Sequence, residues 1–171
     1  LQIIRMYCYK IYTVNVHFFK EEGKLFFPEV RGLHIHNLNA FDYLVKYFVD
    51  KYKLSKLFLL APDTGVWVYV QKTARRFGFK ADHLEKRRLS PKDVYVQDKP
   101  LDVRGSDVVI LDDIIGRGST TEKTRRIVRK YQEGTERIFA ACMHGEFAKG
   151  WEEFEPGFDE VISTDTIISD K

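Results

Sequence analysis

The sequence predicts an α/β fold, a doubly wound and mainly parallel sheet. Three observations point to it. Short apolar runs alternate with segments of helical period, the mark of successive strand–helix units. The run Val108 to Leu111 is apolar without a break, which suits a central strand covered on both faces. Directly after it come Asp112-Asp113 and the small-residue stretch Gly116-Arg117-Gly118-Ser119-Thr120-Thr121. Acids and a glycine loop at a strand's carboxyl end fall where such sheets bind ligands.

The elements follow in order. Residues Gln2 to Tyr9 read as the end of a helix, and Ile11 to Val16 as a strand. His36 to Asn39 supplies turn and cap residues. Phe41, Leu44, Val45, Phe48 and Tyr52 then recur at helical spacing. Leu57 to Leu60 is a short apolar strand. Pro62-Asp63-Thr64-Gly65 is a turn in which Pro fixes φ and Gly permits a tight path. A helix is expected from Trp67 to Phe77, ended by Gly78. Ala81 to Leu84 makes a further strand. It leads to Lys86-Arg87-Arg88, which stands before Ser90-Pro91 and reads as a mobile loop. Pro100 to Ser106 reads as a hairpin or hood-like excursion. After the central strand, a helix is expected from Thr120 to Tyr131 and a strand from Arg137 to Met143. A short helix near Phe147 to Phe154 and a last strand near Glu160 to Ser163 close the chain.

A chain of 171 residues, 44% hydrophobic, is enough for one well-packed domain over residues 1–171. With 28 basic and 25 acidic residues the net charge is only +3, so the balance implies no nucleic-acid partner. The clusters Lys72 to Arg76 and Lys123 to Lys130 read as solvated helix faces. Cys8 and Cys142 lack metal-ligand spacing and read as reduced core thiols of a cytoplasmic protein. No transmembrane run and no secretory signal is visible, so no membrane partner is expected. His34 and His36 share one strand face, a spacing that can bind metal. With no third ligand nearby they read as structural.

The acids and the loop carry the chemistry. Gly116 and Gly118 let the backbone turn tightly and approach an anion. Ser119, Thr120 and Thr121 can cap the following helix, whose free N–H groups favour a phosphate. Strand–loop–helix turns with Gly and Asp are common in αβ proteins, but paired acids directly before the loop are more specific. Two carboxylates beside an anion cradle suit a phosphorylated polyol: acids for the hydroxyls, the loop for the phosphate.

This loop resembles the phosphoribosyl-pyrophosphate loop of the type I phosphoribosyltransferase fold. Further segments narrow the resemblance. Thr13-Val-Asn-Val-His17 is similar to a strand that ends in histidine, and Ala61-Pro62-Asp63-Thr64-Gly65 to a Ser/Ala-Pro-Asp-x-Gly turn. Lys86-Arg87-Arg88 is similar to a catalytic Lys-x-Arg, and Asp102-Val-Arg-Gly105 to an Asp-Val-x-Gly segment. His144-Gly145-Glu146-Phe147 and Thr164-Asp165-Thr166 match closing segments. The family with all of these in this order is ribose-phosphate pyrophosphokinase, and the resemblance runs from about Lys10 onward.

The resemblance implies transfer of the diphosphoryl group of ATP to the 1-hydroxyl of ribose 5-phosphate. It implies Mg²⁺ as cofactor, ATP and ribose 5-phosphate as substrates, and a homo-oligomer in the cytoplasm. It assigns Lys86 and Arg88 to catalysis, with Arg87 pointing away. Asp112 and Asp113 would hold the ribose hydroxyls, directly or through Mg²⁺. Gly116, Arg117, Gly118, Ser119, Thr120 and Thr121 would hold the 5-phosphate, and His17 and Asp63 would bind metal. Asp113 is expected to face the ligand more than Asp112.

The chain departs from the family at several points. The family usually has Ser/Asp-Thr-Gly-Gly-Thr where this chain has Gly116-Arg117-Gly118-Ser119-Thr120. Arg117 would add a forked phosphate contact or crowd the pocket, and Ser119 would be strained if its position needs a positive φ. The turn at Asp63 lacks the usual second glycine. The family also has a preceding domain that grips ATP, to which nothing here corresponds, so the sequence reads as the C-terminal part of a longer enzyme. Two other functions stay open: a phosphoribosyltransferase that consumes phosphoribosyl pyrophosphate, and a non-catalytic, synthetase-associated regulatory subunit.

Overall fold

The computed structural model describes residues 2–15, 23–25, 32–88, 94–133, 136–150 and 155–167. Ten strands and four α-helices are described: α1 (Gln2–Arg5), β1 (Lys10–Val14), β2 (Gly23–Leu25), β3 (His34–Leu38), α2 (Phe41–Tyr52), β4 (Leu57–Ala61), α3 (Trp67–Phe77), β5 (Lys80–His83), β6 (Lys86–Arg88), β7 (Val94–Val96), β8 (Asp107–Ile115), α4 (Ser119–Tyr131), β9 (Ile138–Gly145) and β10 (Glu160–Ser163).

The main sheet has the order β10-β9-β8-β4-β5, and every neighbouring pair is parallel. Its three central strands, β9, β8 and β4, carry long apolar runs because both of their faces are covered. Leu57, Leu59, Val109, Leu111 and Phe139 pack beneath α2 and α3, which contribute Phe41, Val45, Phe48 and Val70. Phe58, Leu60, Val108, Ile110 and Ile138 pack on the other side with Val128 of α4. Leu59 and Leu60, adjacent in sequence, are fully buried on opposite faces. Burial of a side chain of this size contributes about 1.5–3 kcal/mol. The expected doubly wound, mainly parallel α/β fold is thus observed.

The strand order also fixes where a ligand can sit. From β4 the chain crosses through α3 to β5 on one side; from β8 it crosses through α4 to β9 on the other. The crossovers diverge between β4 and β8, which opens a crevice at their carboxyl ends.

A small sheet, β1-β3-β2, docks beside α2 and α3 through buried amides. Asn15 Nδ2 donates to Asn39 Oδ1 at 3.1 Å, Asn39 Nδ2 to Thr73 Oγ1 at 3.1 Å, and Asn37 Nδ2 to the Tyr69 hydroxyl at 2.7 Å. Asn15 has φ 40, a region that asparagine tolerates better than most residues. β6 and β7 form a separate antiparallel ribbon.

Several expectations need correction. His36 and Asn37 extend β3 instead of forming a turn, because they pair with Tyr12 and Thr13 of β1. The expected strand at Ile11 to Val16 is Lys10–Val14; Val16 lies outside the described residues. Lys86 to Arg88 is not a loop but strand β6, whose backbone pairs with Val94 to Val96. Pro100 to Ser106 is irregular, with a turn at Arg104 and Gly105 and no hairpin. Residues 147–150 form no helix, and 151–154 lie outside the described residues. The Trp67–Phe77 helix and the Glu160–Ser163 strand occur as expected.

Candidate active site

The central strand does not stop at Leu111 but runs on through both acids to Ile115. It then turns at Gly116 to Gly118 into α4. Gly118 is the helix N-cap, in the left-handed conformation with φ 73, and it makes no side-chain cap. The positive φ falls on Gly118 and the helix begins at Ser119, so the strain considered for Ser119 does not arise. The helix begins at Ser119, so the hydroxyls of Ser119, Thr120 and Thr121 lie inside its first turn and not at the cap position. Thr121 is buried, while Ser119 is exposed.

One cavity of about 370 Å³ gathers most of the sequence-predicted residues. Asp63 enters from the turn after β4, Lys86 from β6, and Asp112 and Asp113 from the end of β8. Gly116, Arg117, Gly118, Ser119, Thr120 and Thr121 form the facing wall. The cavity thus occupies the crevice at the divergence of β4 and β8. For Arg88 the backbone alone is described, opposite Val94. His17 lies outside the described residues.

Glu146, which sequence reasoning gave no role, completes the wall. It follows the carboxyl end of β9, the strand beside β8, and its N–H donates to Ile115 O at 3.0 Å. The rule that ligands gather at strand carboxyl ends, applied to both neighbours of β8, would have found it.

The two adjacent acids differ in burial. Asp112 is 4% exposed, and its Oδ1 accepts from Asp113 N–H at 2.9 Å. Burial, followed by the charges of Asp113 and Asp63, holds its carboxyl well above the usual carboxylate range; Lys86 offsets part of this. Asp113 is half-buried. Cys142, opposite Asp112 in β9, has its thiol pushed up to about 12, mainly by burial.

Asp63 holds two partners. Its Oδ1 accepts from Gly65 N–H at 2.7 Å, and its Oδ2 lies 3.1 Å from Lys86 Nζ. A Cβ on Gly65 would come within 2.9 Å of Asp63 Oδ1, so this turn needs glycine for close approach. Among the described residues, no three His, Cys, Asp or Glu side chains are grouped to hold a metal. Mg²⁺ commonly uses one or two carboxylates together with substrate phosphates and water. The carboxylates of Asp63 and Asp113 fit that mode and do not make a closed cage.

A model of the phosphoribosyl transferase domain matches residues 35–168. The chain belongs to that family. Ribose-phosphate pyrophosphokinase from Pyrococcus furiosus is 34% identical over 168 residues, which is 98% of this chain and 57% of that protein. The Methanopyrus kandleri protein of the same name is 34% identical over 91% of this chain and 51% of its own length. The chain thus spans about half the length of the curated relatives it matches. The fold is shared with phosphoribosylpyrophosphate synthetase from Mycobacterium smegmatis, at TM-score 0.68 and 21% identity, covering 96% of this chain and 51% of that one. It is shared less closely with a purine phosphoribosyltransferase from Pyrococcus horikoshii, at TM-score 0.52 and 16% identity over 71% and 78% of the two chains. The type I phosphoribosyltransferase fold read from the loop is therefore observed.

Proposed function

We propose that this domain is the ribose 5-phosphate side of a ribose-phosphate diphosphokinase, which makes phosphoribosyl pyrophosphate and AMP. The observation that carries the reading is the shared cavity, which joins an anion loop, an acidic pair and the Lys86–Asp63 pair. The names of the relatives agree with it.

Gly116 to Thr121 hold the 5-phosphate through backbone N–H groups and hydroxyls. Arg117 adds a charged contact at the cavity wall. Asp113 and Asp112 hold the ribose hydroxyls. The anomeric oxygen attacks the β-phosphorus of ATP. The bond from that phosphorus to the α–β bridging oxygen breaks, AMP departs with the oxygen, and the attacking hydroxyl gives up its proton. Lys86, with Arg88 as its partner in catalysis, offsets the charge that grows on the migrating group. Such positioned cations are the main catalytic resource in phosphoryl transfer. Asp63 and Asp113, together with His17 as the resemblance implies, would hold Mg²⁺, which would supply charge neutralisation at the phosphates.

The same reading makes the full protein a cytoplasmic homo-oligomer that takes ATP as donor. The free thiols Cys8 and Cys142 support a reducing compartment. Among the described residues no helix is long and apolar enough to cross a membrane. Formation of AMP from ATP with ribose 5-phosphate and Mg²⁺, by the full-length protein and its Lys86→Ala variant, tests the reading. Activity in the first and its loss in the second is expected; AMP formation independent of Lys86 would overturn it.

A further inference from the structure

We propose that Glu146 supplies, from the end of β9, the ligand-binding oxygen that the first position of the phosphate loop lacks in this chain. The inference rests on the substrate reading above and adds one side chain to it. Where the resembled family usually carries serine or aspartate, this chain has Gly116. The glycine removes both a Cβ and the oxygen beyond it. A Cβ built on Gly116 would lie 3.3 Å from Glu146 Oε2. Among the described residues, nothing else apart from the chain neighbours comes within 4 Å of it. The carboxylate thus stands where a side chain at position 116 would begin. Gly116 does not have a positive φ, so the loop backbone itself would accept a side chain there.

The backbone around Glu146 fixes this placement. β8 and β9 run parallel with Ile115 opposite Gly145, so Gly116 and Glu146 leave the sheet side by side. Glu146 N–H and Phe147 N–H both donate to Ile115 O, at 3.0 and 3.2 Å, and Ala148 N–H donates to Gly116 O at 3.0 Å. Phe147 has φ 40, a left-handed conformation costly for an aromatic residue. A Cβ on Gly145 would collide with the Phe147 ring, so the turn needs glycine there. Strain of this kind persists where the surroundings over-determine it, commonly at binding sites. The exposed Glu146 side chain is thereby aimed at the cavity that Asp63, Lys86, Asp112 and Asp113 share.

A carboxylate accepts hydrogen bonds and repels the oxygens of a phosphate. Beside an anion loop its partner is therefore a hydroxyl of the sugar phosphate, not the phosphate itself. Glu146 adds affinity for a phosphorylated polyol and none for a bare phosphate, which makes it a specificity-determining residue.

The test is calorimetric titration of ribose 5-phosphate, and separately of orthophosphate, into the full-length protein and two variants. The variants are Glu146→Ala and the double variant Glu146→Ala/Gly116→Asp. Glu146→Ala should bind ribose 5-phosphate about tenfold more weakly, the loss of one hydrogen bond to a charged group. Its orthophosphate affinity should not fall. The double variant returns the carboxylate to the loop and should regain most of the loss. Thermal unfolding of each variant checks the fold. Unchanged ribose 5-phosphate affinity in Glu146→Ala would overturn the inference. So would an equal loss for orthophosphate, which would mean that Glu146 only shapes the loop, or a folded double variant that binds no better than Glu146→Ala. Failure of the unmutated protein to bind ribose 5-phosphate would instead overturn the substrate reading, and this inference with it.

Discussion

Lys86 Nζ lies 3.1 Å from Asp63 Oδ2, with the two side chains only 20% and 21% exposed. The pair joins the ribbon strand β6 to the turn after β4 in the wall of the candidate cavity. The Asp63 carboxylate holds the Lys86 ammonium at the cavity wall. Under the proposed function, an incoming polyphosphate would compete with Asp63 for Lys86, because it offers more charge than one carboxylate.

Lys86→Ala is therefore expected to lower kcat by about 10²–10³-fold, the loss typical of one preorganised charge-stabilising donor. Ribose 5-phosphate affinity should change little. Steady-state kinetics on the full-length protein, beside a binding titration, separates the two. Equal losses in kcat and in sugar-phosphate affinity would place Lys86 in binding instead.

Asp112→Asn should stabilise the protein at neutral pH. The native state holds the Asp112 carboxyl well above its ordinary value of 3.8, chiefly through burial. Above that value the unfolded chain gives up its proton while the native state keeps it, so stability falls as pH rises. The asparagine removes this dependence. Melting curves should show the variant ahead at pH 7 and the difference closing as pH falls through 3.8. A variant that melts lower at pH 7 would mean that the carboxylate is ionised and satisfied in the native protein.

Gly118 and Gly116 should respond differently to alanine. Gly118 has φ 73, where a Cβ costs about 1–2 kcal/mol. At Gly116 the nearest atom to an added Cβ is the end of the Glu146 side chain, 3.3 Å away, which can move aside. Denaturant unfolding should therefore rank Gly118→Ala well below Gly116→Ala in stability. Equal losses would mean that the turn is held by something other than the left-handed cap.

Cys142 should resist alkylation in the folded protein. It is fully buried, with its thiol pushed up to about 12, whereas Cys8 is half-buried. Mass spectrometry after iodoacetamide treatment at pH 8, about four units below that value, should find Cys8 modified first. Early modification of Cys142 would show that the β8–β9 core opens readily.

The apolar strands, the helix ends at Phe77 and Tyr131, and the acid–loop–helix segment were legible in the sequence because local signals and tertiary context agree there. Gly78 ends α3 in the left-handed conformation, as a C-terminal glycine should. The misread elements are those that tertiary pairing decides. His36 and Asn37 carry turn-like residues, yet β1 and β2 draw them into a strand. Lys86 to Arg88 has no apolar alternation to announce a strand, and only its pairing with Val94 to Val96 makes it one. At the site, the resemblance supplied Asp63 and Lys86, which the structure brings together. It offered nothing for Glu146, whose part depends on the parallel alignment of β9 with β8.

The most direct test of the central claim is titration of ribose 5-phosphate into the protein with Mg²⁺, beside an Asp113→Asn control. The cavity predicts micromolar binding that the control loses. No binding by the unmutated full-length protein would contradict it.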